Sequence, residues 1–168
     1  NTTTLTITVT GTNDPPALTG DLNATVLEGG TYVITAADLG FTDPDNVAAE
    51  ETFTVSALAN GTVLVNGVAA TSFTGTQLAA GQVSFQHDGS ETTSASFLVN
   101  VEDGNQDGSV PVNSTFNFSV TPVNDPPALT GDLSATVLEG GTYVLAAADL
   151  GFTDPDNVAA AETFTVSA

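Results

Sequence analysis

Oxygen-bearing side chains recur in short groups along this chain. Asn13-Asp14, Asp43-Pro44-Asp45-Asn46, Asp88-Gly89-Ser90-Glu91, Asp103-Gly104-Asn105-Gln106-Asp107-Gly108, Asn124-Asp125 and Asp154-Pro155-Asp156 punctuate apolar stretches, and Glu28 and Glu139 each precede a Gly-Gly pair. Carboxylates and amide carbonyls are the ligands that hard divalent cations take. The 168 residues include 20 acids and no Lys or Arg, so His87 is the one side chain able to pair a carboxylate. Two carboxylates 4 Å apart repel by about 1 kcal/mol even in water. A hard divalent cation is therefore the expected counter-charge. Zinc is not, with a single His and no Cys.

A net charge of −20 keeps a protein soluble while working against compactness. It makes DNA, RNA and anionic membrane surfaces poor partners. No apolar run reaches the 18 residues of a membrane span. The chain is still core-forming, with 40% hydrophobic residues and nine Phe. Cysteine is absent, so bound metal would take the place of the disulfides common in small exported domains. Ser84, His87, Asp88 and Ser90 lie close in sequence, but no strand-turn-helix elbow presents a serine, so no enzyme is expected. His87 reads as a solvated loop residue. Asn23-Ala24-Thr25 and Asn113-Ser114-Thr115 fit a glycosylation pattern that arises by chance in a threonine-rich chain.

The groups are placed by a repeat. Residues 13–57 and 124–168 match at 41 of 45 positions, differing only at Asn23/Ser134, Ile34/Leu145, Thr35/Ala146 and Glu50/Ala161. The offset is 111 residues, a long fixed period that signals a modular array. Each copy opens with Asn-Asp-Pro-Pro. Two prolines remove two donors and forbid a helix or central strand there. The acid before them is pushed to extended geometry. The layout expected is the last strand of a preceding repeat (1–12), one complete repeat (13–123) and the first part of another (124–168).

Within the complete repeat, period-2 alternation predicts strands over 23–27, 31–35, 52–56, 62–65, 82–86, 97–101 and 116–120, with a possible short one at 71–73. Leu5, Ile7 and Val9 alternate in the same way. Asn66-Gly67 is a two-residue hairpin turn, and residues 76–80 suit one helical turn. About seven short strands without helical periodicity argue an all-β, antiparallel Greek-key β-sandwich. Val26, Ile34, Phe41, Phe53, Val55, Val83, Phe85, Phe97, Val99, Phe116, Phe118 and Val120 are the expected core. An up-and-down order would gather Asp43, Asp45, Asp103 and Asp107 at the upstream end beside Asn13 and Asp14. It would gather Glu28, Asp88 and Glu91 at the downstream end beside Asn124 and Asp125, where Asp154 and Asp156 of the next repeat arrive.

A second signal is local. Asp103-x-Asn105-x-Asp107-Gly108 matches the first half of the calcium-loop pattern D-x-[DN]-x-[DN]-G, but Ser114 stands where the closing Glu belongs. Three readings stay open: a local ion, a plain acidic turn, or a contribution to the upstream group.

Glu28, the Asp-Gly-Ser-Glu of 88–91, the Val-Glu-Asp-Gly of 101–104 and the Val-Asn-Asp-Pro-Pro of 123–127 together resemble cadherin-type repeats. They are most similar to those of chondroitin sulfate proteoglycans and of large bacterial adhesins of the repeats-in-toxin type. The resemblance implies calcium at each seam between repeats. Its ligands would be Glu28, Asp88, Glu91, Asn124, Asp125, Asp154 and Asp156 at one seam, and Asp103 with Asn13, Asp14, Asp43 and Asp45 at the other. Glu139 repeats the position of Glu28. The middle loop lacks the basic residue of cadherins and the linker is shorter.

The function expected is a calcium-stiffened extender of a secreted or cell-surface adhesin or fibre, of bacterial type. Its partners would be neighbouring repeats and other copies in a fibre. Near-identity of neighbours suits a spacer, which needs copies. The alternatives are a calcium-dependent carbohydrate-binding module, which wants an aromatic platform the Trp-free chain lacks, and homophilic adhesion, which wants an apolar exchange surface.

Overall fold

Alternating burial organises the strands. A computed structural model describes residues 2–104, 106, 108–157 and 162–167. The chain divides into two units, Asn1–Pro122 and Val123–Ala168. In chain order the first unit carries β1 (Ala17–Thr19), β2 (Asn23–Leu27), β3 (Thr31–Val33), β4 (Gly40–Thr42), β5 (Thr52–Ala59), β6 (Gly61–Val65), β7 (Val68–Ala69), β8 (Ser72–Thr74), α1 (Gly75–Ala79), β9 (Val83–His87), β10 (Ser94–Glu102) and β11 (Ser114–Thr121). In β10 every second residue from Ala95 to Val101 is buried, and in β11 Phe116, Phe118 and Val120 are. Successive side chains on a strand face opposite ways, so this pattern is one wet face and one dry face.

Two sheets bring their dry faces together. One has the order β2-β11-β10-β5-β8 and the other β3-β9-β6-β7, while β1 and β4 form a separate pair. Phe85 of β9 stacks on Phe118 of β11 with ring centroids 4.2 Å apart, which joins the sheets across the core. Phe97 and Phe116 stack at 5.0 Å, and Phe53 and Phe73 at 5.1 Å. Eleven of the twelve expected core residues are buried, and Phe41 is half-buried against them. Leu39, Val63, Phe73, Leu78, Ala95 and Val101 complete the core. The fold is an all-β sandwich.

Turns follow their residues. Asn66 and Gly67 both have positive φ, 51° and 79°, which is the hairpin geometry their types favour. The single helical turn is held by a capping box, with Thr74 Oγ1 accepting from Gln77 N and Gln77 Oε1 accepting from Thr74 N.

The connectivity is not up-and-down. β2 runs parallel to β11, the one parallel pairing among the described residues, while β5 and β6 separate into different sheets. β1 and β4 were not expected as strands, being three residues each. Residues 2–11 form no strand among the described residues, and Leu5, Ile7 and Val9 are exposed. The counterpart stretch in β11 is ordered as a strand because β10 and β2 flank it on both sides.

Among its described residues, the second unit keeps the pair β12 (Ala128–Thr130) and β13 (Gly151–Thr153), the copies of β1 and β4. The described residues in the copies of β2, β3 and β5 form no strands there, and Leu138, Val144 and Val166 stand exposed. Those elements need β11, β9 and β10 as partners in the first unit.

Candidate metal centres

The upstream group assembles around two loops. The loop after β4 begins with Asp43, whose Oδ1 accepts from Asp45 N at 2.6 Å and Asn46 N at 2.7 Å. Such a turn points the other carboxylate oxygen away, and Asp43 Oδ2 is buried without a hydrogen-bond partner among the described residues. Asp45 Oδ2 accepts from Asp14 N at 2.9 Å, tying the loop to the linker. The second loop follows β10. Asp103 is buried and accepts at Oδ2 from Asn13 Nδ2 and at Oδ1 from Gln106 N. Asn13, Asp14, Asp43, Asp45 and Asp103 are thus brought together within the first unit. Asn105 and Asp107 lie outside the described residues.

The same loop is built again in the second unit. Asp154 Oδ1 accepts from Asp156 N and Asn157 N at 2.9 and 2.7 Å, and Asp154 Oδ2 is again buried without a partner among the described residues. Asp156 Oδ2 accepts from Asp125 N at 2.6 Å, and Asn157 Nδ2 donates to Asn124 Oδ1 at 3.0 Å. Glu139 is exposed.

Sequence reasoning missed two members of the upstream group, Asn46 and Glu51. Asn46 Oδ1 is buried with no partner among the described residues, and so are both carboxylate oxygens of Glu51. Glu51 is fully buried. Burial pushes its carboxyl up to about 7, and the charges of Asp43, Asp103, Glu50 and Glu102 push the same way. The available signal was parity: Glu51 has the phase of Phe53 and Val55, the buried residues of β5. The loop carrying Glu51 is pinned by bonds from the start of α1, Gly75 N to Glu51 O at 3.1 Å and Thr76 N to Ala48 O at 2.9 Å.

The downstream end holds a smaller group. Glu28 follows β2, and Glu91 stands in the loop after β9. Carboxylate oxygens of the two lie within 4.8 Å of each other. Asp88 turns instead onto its own loop. Its Oδ1 accepts from Ser90 Oγ and Ser90 N at 2.7 and 3.0 Å, which holds its pKa below the usual carboxylate range.

His87 organises this end and is not a solvated loop residue. It closes β9 on the buried phase of Val83 and Phe85, with 2% of its surface exposed. Its Nδ1 accepts from both Gly29 N and Gly89 N at 3.2 Å, so the ring proton sits on Nε2, which lies 3.0 Å from Thr92 Oγ1. One imidazole therefore fixes the backbone beside Glu28 and the loop that carries Glu91.

A family model described as cadherin-like matches residues 16–121. The chain belongs to the cadherin-like family. Relatives of this chain include FRAS1-related extracellular matrix protein 2 of Homo sapiens, 32% identical over 127 residues. That match covers 71% of this chain and 4% of the relative. FRAS1-related extracellular matrix protein 1 of Homo sapiens is 28% identical over 148 residues, covering 88% of this chain and 7% of the relative. Chondroitin sulfate proteoglycan 4 of Homo sapiens is 37% identical over 103 residues, covering 59% and 4%. The chain thus spans a small fraction of the length of these relatives. The resemblance to repeats of the proteoglycan type holds.

Proposed function

We propose that this cadherin-like chain is a calcium-stiffened extender within a large extracellular adhesin or surface fibre. The observation that carries the reading is the gathering of Asn13, Asp43, Asp45 and Asp103 beside the proline-terminated linker, in a protein with no basic side chain but one His. Repulsion within such a group makes its geometry costly without a counter-ion. Oxygen ligands of this kind suit calcium.

Calcium at both ends of a repeat would restrict how successive repeats pivot. In this reading residues 13–123 are one repeat, and Glu28 and Glu91 hold calcium at its downstream end. Identity at 41 of 45 positions between neighbouring copies supports a spacer over a specialised tip. The extracellular setting is supported by relatives whose names place them in the extracellular matrix. In this reading the setting is a bacterial cell surface, with neighbouring repeats and other copies of the fibre as partners. Tyr32, the one tyrosine of the repeat, packs edge-on against Phe118 and donates to Asp38 at 3.0 Å, so it offers no open sugar platform. No catalytic role is proposed.

Calorimetric titration of the full chain with calcium tests this. Binding at about 10⁻⁴–10⁻³ M, the range of extracellular modules, is expected. No calcium-dependent heat and no displacement by chelator would overturn it.

A further inference from the structure

We propose that Glu51 and Asn46 complete, with Asp43, Asp103 and Asn13, a divalent-cation site contained within a single repeat, with Glu51 as its floor. The inference rests on the calcium reading above and changes its architecture. The upstream ion then needs no ligand from a neighbouring repeat.

Four oxygens carry the assignment. Both carboxylate oxygens of Glu51, Asp43 Oδ2 and Asn46 Oδ1 are buried and meet no hydrogen-bond donor among the described residues. Buried polar atoms are nearly always partnered, and an exception asks for an explanation. Glu51 is the strongest exception, a fully buried carboxyl in a chain without Lys or Arg. Removing a carboxylate from water without a partner costs several kcal/mol. A purely structural residue at this place would be apolar, as Phe53 and Val55 are on the same strand face.

The fold gathers the residues that carry these oxygens on one edge of the sandwich. Val101 pairs with Phe53 and Glu102 with Thr52 along β10 and β5. One more step of that antiparallel register sets Asp103 opposite Glu51, on the inward phase of both strands. Like charges directly opposite destabilise a strand pair. Asp43 acts on Glu51 through its charge as Asp103 does, and Asp43 and Asn46 share one turn. Asn13 reaches the same spot through Asp103. Its amide can turn to offer Oδ1, because amide orientation follows the local network.

Donor chemistry selects the ion. With Asp43 Oδ1 committed to its own turn, the three carboxylates and two amides supply about six or seven oxygens, within the coordination calcium takes. Magnesium keeps several waters and is usually bound through one or two carboxylates, which a dry floor residue disfavours. The internal repeat is consistent with the assignment: Glu50 becomes Ala161, whereas Glu51 is kept as Glu162.

The test uses the full 168-residue chain. Calorimetry with calcium compares wild type, Glu51→Gln and Glu28→Gln. Glu51→Gln should weaken one binding event at least tenfold and leave intact the event that Glu28→Gln weakens. Equal calcium affinity and stoichiometry in wild type and Glu51→Gln would overturn this site while leaving the calcium reading standing. No binding in wild type would overturn both. A second measurement is independent of whether the variant folds. Sub-stoichiometric Mn²⁺ added to ¹⁵N-labelled wild type, in competition with calcium, should broaden the amides of Thr52, Asn46 and Asp103. Broadening confined to Gly29 and the 88–92 loop would overturn the proposal.

Discussion

Glu51 and Asp103 flank the end of the β5–β10 pair, each one residue beyond the paired Thr52 and Glu102, and both are buried. Two inward acids on facing strands should repel. The chain places them at the seam where Asp43 and Asn13 also converge. At the site proposed above, a cation between them would turn this repulsion into a clamp on the upstream edge of the sandwich.

Without metal, that contact makes stability fall as pH rises. Burial pushes the Glu51 carboxyl up to about 7 in the folded chain, from an ordinary value of 4.5. Between those values the native state binds the extra proton, so stability decreases with pH; below them Glu51 contributes no difference, and above them its full deficit persists. The deficit is at most about 3 kcal/mol. In chelator, urea unfolding across pH 4–8 should show a shallower decline for Glu51→Gln than for wild type. Parallel curves would contradict the assignment.

His87→Ala should cost about 2–4 kcal/mol in denaturant unfolding. It opens a cavity and strips the shared acceptor from Gly29 N and Gly89 N. Calcium binding by Glu28 and Glu91 should weaken with it, while the event that depends on Glu51 persists. A variant as stable as wild type would show that the imidazole organises nothing.

Gly61→Ala should destabilise by about 1–3 kcal/mol, the usual cost of overpacking. A Cβ there would meet Phe85 Cζ at 2.3 Å and Gln86 O at 2.5 Å. Neither can retreat, since Phe85 stacks on Phe118 and Gln86 sits in the β9 ladder. Thermal unfolding in calcium reads the loss, and an unchanged midpoint would contradict this packing.

Asp125→Ala should weaken calcium binding more than Asp21→Ala. Asp21 Oδ1 caps its own turn by accepting from Asn23 N at 3.0 Å, whereas Asp125 is the linker carboxylate of the repeat. Calorimetry of the two variants decides it, and equal loss would count against the linker role.

The sandwich was largely legible because burial follows alternation. Phe97, Val99, Phe116, Phe118 and Val120 announce their dry face by spacing alone. The short pair β1–β4 was not legible, since three residues carry too little period to detect. The parallel pairing of β2 with β11 joins residues some 94 apart, Asn23 with Asn117, and no local signal reports such a contact. The acids of the upstream group were legible as short clusters. Glu51 was hidden because it adjoins Glu50, and a pair of glutamates before a strand looks like a solvated turn. The parity of Phe53 and Val55 breaks that tie. His87 was misread for the same reason: its loop neighbours Asp88 and Gly89 masked the phase it shares with Val83 and Phe85.

Calcium stiffening of the repeat is tested most directly by thermal unfolding of the full chain across calcium from micromolar to 10 mM. Ligands that bind only the folded state stabilise it by mass action, and extracellular modules fill at about 10⁻⁴–10⁻³ M. The melting temperature of the first unit should stay low at micromolar calcium and climb through the millimolar range. A melting temperature that does not move with calcium, or that is already saturated at micromolar calcium, would contradict it.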